Sequence, residues 1–556
     1  MMVMVTKCLT QKNTNMKNIK FIQILLLLVG IMTIFSCSEN EGDYPQTRLF
    51  RPVLNSNLIS QNNEIQVDMA KLKEAVSYDI ELSRDNFATV IMKFNTTESK
   101  FHIINLLWDT EYQVRATAIS ADPQYNSKVS DLGSVKTQKF PSILQAPTAT
   151  DVIDVAAKMT WLTGLGTGAA ITQVKVFALA DETLSNPLFT YPVTSAEQLS
   201  GTKIVNALLP STTYQIAIYS GETVRGWEKY TTKVGIAIDA TTIDIRGIAP
   251  TPTLLFDTLT AAAPGSTIIL DGNVTYDMST TYFFNKSLTI KSGYSFGQGG
   301  AIVNLVSNFN ILAGSNVGSI IFDGVILTSP DTLAAAKYVF NINQSSTIGE
   351  ITFNNCKMSN YRGVCRFQAS TGTIGKYTVN NCIINNIGGY GVFNVDVATW
   401  TAGDVLFKNS TVYRSVVFMA SKSTSPTKSV TVEDCTLNEF VAKAGTWYKW
   451  VNEVTNGITM KNTIVGHGYD SAPGGTDYAI IGYAGLATTS WTITNTYSTS
   501  DFAYVPLNLK TIPGFPSFSY SKTVTNLWKD PVNGDFNFID LTFAGIKDSG
   551  DPRWRK

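Results

Sequence analysis

An all-β chain, two β-sandwiches followed by a stacked parallel β-helix, is what this sequence predicts, and three observations carry the prediction. A strand-and-turn frame repeats through the second half: Ile351-Thr-Phe-Asn-Asn-Cys356 returns as Tyr377-Thr-Val-Asn-Asn-Cys382, and again at Val405–Ser410, Val430–Cys435, Ile458–Thr463 and Trp491–Thr496. A short strand and polar turn repeating every ~25 to 33 residues is the signature of a solenoid. The first half instead alternates apolar and polar residues between Pro, Asn and Gly punctuation, as half-buried antiparallel strands do. With 44% hydrophobic and 15% charged residues, the composition is that of a folded protein and not a disordered one.

The N-terminus reads as a targeting segment. Lys17 and Lys20 precede an apolar stretch from Phe21 to Phe35 that is too short for a confident membrane span. Met16 is read as the true start. The stretch ends in Ile34-Phe-Ser-Cys37, which resembles the lipobox of bacterial lipoproteins. The resemblance implies that residues 1–36 are removed and that Cys37 is the lipidated first residue. Ser38-Glu-Asn-Glu-Gly-Asp43 resembles the acidic export tether of Bacteroidota surface lipoproteins. Residues 37–46 are thus expected as a lipidated tether on the outer membrane, exposed at the cell surface, with membrane lipid as a partner through Cys37.

Residues 47–138 and 143–235 are each about the size of one sandwich. Leu106-Leu-Trp-Asp-Thr-Glu-Tyr112 and Leu208-Leu-Pro-Ser-Thr-Thr-Tyr214 both set Leu six and Thr two residues before a Tyr, and an alternating strand follows each. This resembles the tyrosine corner of fibronectin type III domains, and Trp161 supplies the aromatic expected on an early core strand. A spacer role is expected for both sandwiches. Gly221–Trp227 is read as a strand-connecting loop with one packed aromatic, and Ala240–Pro252 as a linker.

In Leu254–Leu270, an amphipathic helix with Leu255, Leu259 and Ala262 on one face is stopped by Pro264-Gly265 before a strand at Thr267. This entry resembles the N-terminal cap of pectate-lyase-like right-handed β-helices, and the helix domain is placed at residues 250–526. In the repeat, Asn355, Asn381, Asn409, Asp434, Asn462 and Asn495 share one turn position, where amides can bond from coil to coil over ~4.8 Å. The row resembles the asparagine ladder of that family. Cys356, Cys382, Ser410, Cys435, Thr463 and Thr496 follow it and are expected to point inward as small packed groups; a Cys356–Cys382 disulfide is the alternative. Neither row is assigned chemistry.

Placing the ladder identifies the sheet that carries the active cleft in lyase-like families. Aligning Phe340, Phe367, Phe393, Phe418 and Trp450 as an inward stack leaves Asn341, Asn343, Arg366, Gln368, Ser370, Asn394, Asp396, Met419, Ser421, Lys449 and Glu453 outward. Trp447 and Tyr448 beside Lys449 are expected as a stacking platform for a sugar ring. β-Elimination on a uronic-acid polymer needs a cation such as Ca²⁺ held by several carboxylates, a basic side chain to take the C5 proton, and further cations for neighbouring acidic sugars. Arg366 and Asp396 are the catalytic candidates, with Arg362, Lys376 and Arg414 in nearby turns. Asp396 and Glu453 come from strands ~10 Å apart, too far to chelate one ion together. Paired carboxylates for hydrolysis are missing, since Glu433-Asp434 falls on the ladder turn. No metal or cofactor is expected unless the chain is a lyase, when Ca²⁺ enters.

The ending, Asp530-Pro-Val-Asn-Gly-Asp-Phe536 and then Gly550-Asp-Pro-Arg-Trp554, resembles that of Bacteroidota β-helix lipoproteins of unassigned function, often associated with pectin or other plant-polysaccharide use. Residues 527–556 are read as a C-terminal cap holding an Asp551–Arg553 ion pair. Charge is balanced at 43 basic and 43 acidic residues and turns slightly acidic without the leader, so nucleic acid is not an expected partner. His102 and His467 are too isolated for a zinc site. The leading expectation is a surface lipoprotein whose outward helix face binds an extracellular polysaccharide, pectin-like or another uronic-acid glycan, with glycan-uptake machinery as a partner. Its binding residues are Asn341, Asn343, Arg366, Gln368, Asn394, Asp396, Trp447, Tyr448 and Lys449. The alternatives are a polysaccharide lyase and a structural or adhesion protein.

Overall fold

A computed structural model describes residues 47–164, 168–297, 299–330, 337–368, 371–472 and 474–556. Cys37, the leader, the tether and Ser370 lie outside the described residues. The chain divides between Pro141 and Ser142 into two compact units.

In the first unit, strands Met92–Thr96, Ser77–Ser83, Glu111–Ile119 and Ser130–Lys136 form one antiparallel sheet; Ile59–Gln61, Glu64–Asp68 and Lys100–Ile103 form another. Alternation along Glu111–Ile119 puts Tyr112, Val114, Ala116 and Ala118 in the core with Ile65, Val67, Ile80 and Leu82. The expected tyrosine corner is present: the Leu107 N–H donates to the Tyr112 hydroxyl at 2.9 Å.

The second unit opens with the other sandwich, whose four-stranded sheet runs Phe189–Pro192, Gln173–Ala178, Thr213–Ser220, Thr223–Thr231. The Leu209 N–H donates to the Tyr214 hydroxyl at 3.0 Å, and Trp161 is buried in this core. The expected 221–227 loop is mostly strand. Only Gly221 and Glu222 turn the hairpin, with Gly221 at φ +59°, and Trp227 packs on the sheet beside Phe177 and Tyr219.

The expected linker is also structure. Thr242–Asp244 pairs in parallel with Thr267–Leu270, so it forms the first strand of the solenoid, and Ile245 enters the solenoid core. Arg246 forks between Asp244 (2.7 Å) and the buried Asp154 of the second sandwich (2.9 Å). A charge-assisted fork of this kind fixes direction as well as distance, so sandwich and solenoid are pinned at this joint. The capping helix spans Leu254–Ala261 and buries Leu255 and Leu259 as expected.

The solenoid is a stack of parallel coils. One sheet of ten strands runs from Thr242–Asp244 to Trp491–Thr494, and each later strand ends at the ladder turn. Asn355, Asn381, Asn409, Asp434, Asn462 and Asn495 all adopt left-handed backbone, φ +48° to +57°. Asn tolerates that region because its short amide bonds locally. The amides also bond along the stack: Asn381 donates to Asn355 at 2.7 Å and Asn495 to Asn462 at 3.0 Å. Inside the turn, Cys356, Cys382 and Cys435 are buried free thiols, and the Cys356 N–H donates to the Cys382 sulfur at 3.4 Å. Residues 520–554 run along the flank of several coils, burying Trp528, Phe536 and Phe538 with Ile464 and Tyr497. Arg553 pairs with the buried Asp551 at 2.8 Å and reaches Asn381 of the ladder at 2.6 Å.

Candidate functional site

The opposite sheet contains Tyr338–Ile342, the end of Lys357–Phe367, the end of Ile383–Val395, Met419–Ser421, Thr446–Trp450 and Ile481–Ala484. Its register differs from an alignment on aromatics. Phe340 pairs with Cys365, then Phe393, Met419 and Tyr448; Ile342 aligns with Phe367, Val395, Ser421 and Trp450. One insertion and one misplaced aromatic cause the shift. Gly388-Gly389-Tyr390 stands opposite the single residue Arg362, and Phe418, whose carbonyl accepts from both Val392 and Phe393, lies one residue before Met419, the residue in register with Phe393. A slip of two keeps Phe367 and Trp450 inward, but a slip of one reverses a strand's faces. Met419 and Ser421, expected outward, are therefore buried.

Trp447 and Tyr448 correct the expected stacking platform: both are fully buried. Tyr448 occupies the inward row. Trp447 is enclosed by Phe440 at 4.7 Å and by Phe515 at 5.2 Å, from a segment far along the chain. A ring with no accessible face cannot stack on a sugar. Lys449, between Tyr448 and Trp450, is exposed as expected.

The true outward row is Asn341, Arg366, Asn394, Ala420, Lys449 and Ala484 in successive coils. Its polar end is largely self-satisfied. Gln368 donates to Asn341 at 2.9 Å, and Asn310 donates to Asn343 at 2.7 Å. These amides stitch neighbouring coils and have less capacity left for a ligand. Asn394 differs, being 6% exposed with no side-chain hydrogen bond among the described residues.

Beyond the amides the sheet opens into a cleft of about 930 Å³, lined by Arg362, Arg366, Tyr390, Asn394, Asp396, Ala420, Lys422 and Lys449 among others. Arg366 and Asp396, proposed from sequence as catalytic candidates, are in contact. Arg366 donates to one Asp396 oxygen through Nε at 2.9 Å and Nη2 at 2.5 Å, and Lys422 meets the other oxygen at 2.7 Å. Burial pushes the Asp396 carboxyl up, but the bonds and charges of Lys422 and Arg366 outweigh it and hold the group below the usual aspartate range. Arg366 also lies over the Tyr390 ring at 4.1 Å, and Arg362 lies 4.9 Å from the same ring. Burial raises the Tyr338 phenol, while Arg366 and Arg362 pull the other way. Four cations thus line the cleft against one carboxylate, and Arg362 and Lys449 have no ion-pair partner among the described residues.

The remaining candidates lie elsewhere. Glu453 accepts from Thr488 and Thr489, Lys376 stands on the ladder sheet in register with Glu350 and Asp404, and Arg414 sits 3.8 Å from Glu439. Among the described residues no group of three His, Cys, Asp or Glu side chains could hold a metal ion. The chemistry on offer is recognition of negative charge and of hydroxyls. Sequence reasoning missed Tyr390 and Lys422. The Gly388-Gly389 pair was the available signal for the bulge that carries Tyr390, and Lys422 becomes visible only with the correct register. A second cleft, about 760 Å³ at the sandwich–solenoid joint, has its charges engaged: Lys291 pairs with Asp323 at 3.2 Å, and Lys233 lies over Tyr294.

No curated protein matches the chain. A solved structure of chicken CNTN1 FN1–FN3 domains aligns at 13% identity over 34% of this chain and 69% of that one, with a TM-score of 0.15, which is too low to carry an argument. The sandwich assignment accordingly rests on strand order and tyrosine corners. Residues 274–415, from the third solenoid strand, Thr275–Asp277, through Arg366 and Asp396, are similar to a family described as "Domain of unknown function (DUF4957)".

Proposed function

We propose that the solenoid cleft binds an acidic extracellular polysaccharide and that the protein works as a glycan-binding surface lipoprotein. The observation that carries the reading is the cation excess in one open cleft: among the described residues, Arg362, Arg366, Lys422 and Lys449 stand against Asp396 alone. Such a cleft attracts and orients polyanions, and the Tyr338 and Tyr390 side chains keep Arg366 directed across the sheet. Lipid attachment at Cys37, location on the outer membrane and partnership with glycan-uptake machinery belong to the same reading and rest on the sequence resemblance. Two sandwiches between anchor and solenoid suit a spacer.

The arrangement favours binding over β-elimination. An arginine that donates two bonds to a carboxylate is engaged as a cation and has no free lone pair with which to take a proton. The test uses residues 38–556 with a panel of pectic and other uronic-acid glycans, with and without Ca²⁺. Retardation of the protein in glycan-loaded gels without unsaturated product is the expected result. Ultraviolet-absorbing product that disappears in Arg366→Ala would establish the lyase instead. Neither signal would favour the adhesion reading.

A further inference from the structure

We infer that the cleft contains a seat for a sugar carboxylate above Ala420, framed by the Asn394 amide on one side and the Lys449 ammonium on the other. The inference rests on the acidic-glycan reading and names the group and the place it reads.

Asn394, Ala420 and Lys449 are consecutive members of the outward row, each in register with the next. Asn394 is 94% buried by its 6% exposure, lines the cleft, and has no side-chain hydrogen bond among the described residues. Buried amides are almost always bonded, so one left open toward a cleft is a group waiting for a partner. The neighbouring Gln368 amide donates to the Asn341 carbonyl and shows what a structural amide does on this sheet. Ala420 removes the side chain that would fill the next position, leaving a notch between two taller neighbours. Lys449 is exposed and unpaired among the described residues, and Asp396, the one carboxylate among the described residues of the cleft lining, is already held by Arg366 and Lys422.

With strands ~4.8 Å apart, Asn394 and Lys449 rise from backbones ~10 Å apart, and the gap over Ala420 takes one carboxylate carried on a pyranose. The carboxylate accepts from the Asn394 amide and the Lys449 ammonium together, and the Asn394 carbonyl accepts from an adjacent sugar hydroxyl. Val417 and Val451, also in the cleft lining, give the notch apolar walls. A second acidic unit farther along the chain of sugars meets Arg366 and Arg362, both on the coil one position beyond Asn394.

The test is calorimetric titration of residues 38–556 with oligogalacturonate, its methyl ester and a sulfated neutral oligosaccharide, together with thermal unfolding. Expected are binding of oligogalacturonate, weakening of about 10-fold or more by esterification, and a similar loss in Ala420→Leu and in Lys449→Met. Asn394→Leu should lose binding while its melting temperature holds or rises, since it removes an unpaired buried amide. Tight binding to Ala420→Leu and Lys449→Met would overturn the seat while leaving an acidic glycan elsewhere in the cleft. Preference for the sulfated probe would overturn the carboxylate assignment, and a melting temperature lowered by Asn394→Leu would return Asn394 to the fold. No binding of any acidic probe by the unmodified protein would overturn the wider reading and the seat with it.

Discussion

Asp396 bonds Arg366 on the coil before it and Lys422 on the coil after it, so one carboxylate ties three coils across the floor of the cleft. In Asp396→Asn both cations lose their counter-charge. The stability cost is about 1 kcal/mol, small because Lys422 is largely solvated. The sign of its pH dependence follows from the depressed Asp396 pKa. A carboxyl held below its unfolded value contributes stability above the ordinary aspartate pKa near ~4 and loses it as pH falls through the folded value. The melting-temperature gap between the unmodified protein and Asp396→Asn should therefore be full at neutral pH and close in strong acid. A gap that widened in acid would contradict the assignment.

Gly363 is the second point of leverage. A Cβ there would meet the Tyr390 Cβ at 2.7 Å and the Tyr338 ring at 3.2 Å. Gly363→Ala must push back the bulge that sets Tyr390 under Arg366, at a cost of about 1–3 kcal/mol for the overpacking. Denaturant unfolding should report that loss, and acidic-glycan affinity should fall with it. Gly389→Ala, whose Cβ would meet nothing within 4 Å, should leave stability unchanged.

These two cases show which parts of the molecule a sequence can disclose. The ladder was legible because two demands fall on one residue: Asn381 must take left-handed backbone and must also bond to Asn355, and few residue types do both. The tyrosine corners were legible because Tyr112 and Tyr214 bond within six residues of themselves. The cleft was only half legible. Arg366, Asp396 and Lys449 emerged from period-two alternation, but Met419 and Ser421 were reversed because an alignment on aromatics sets Phe418 in the inward row, where Met419 stands in register with Phe393. Burial of Trp447 depends on Phe502 and Phe515, more than fifty residues away, and no local pattern reports such a contact.

The thiols supply a third prediction. Burial raises the Cys356, Cys365 and Cys435 thiols well above their usual value, and in Cys356 the neighbouring Cys382 adds to it. Thiolate, the reactive form, is then scarce and enclosed. Folded residues 38–556 should give no reaction with a thiol reagent at pH 8, and the unfolded protein should expose all four cysteines. An unfolded, unreduced protein that exposed only two thiols would restore the Cys356–Cys382 disulfide.

The ladder and the C-terminal segment meet at Asn381, where their contributions can be separated. Asn381 donates to Asn355, sits at φ +53°, and accepts from Arg553, which also pairs with the fully buried Asp551. Asn381→Gly keeps the left-handed backbone and removes both amide bonds, for a cost of about 1–2 kcal/mol. Asn381→Ala loses the same bonds and adds left-handed strain of about 1 kcal/mol. Arg553→Ala leaves the Asp551 carboxylate buried with only Thr411 and backbone donors, and its cost rises to about 3 kcal/mol. Burial already raises the Asp551 pKa, so the charged form is the disfavoured one in the folded chain. Stability from this group is accordingly greatest in acid and declines as pH rises through the raised value. Arg553→Ala should then be most damaging at neutral pH and least damaging in acid. Thermal melts of the three variants at pH 4 and pH 7 would separate the ladder amide, the backbone strain and the buried ion pair, and equal losses for Asn381→Gly and Asn381→Ala would remove the strain from the account.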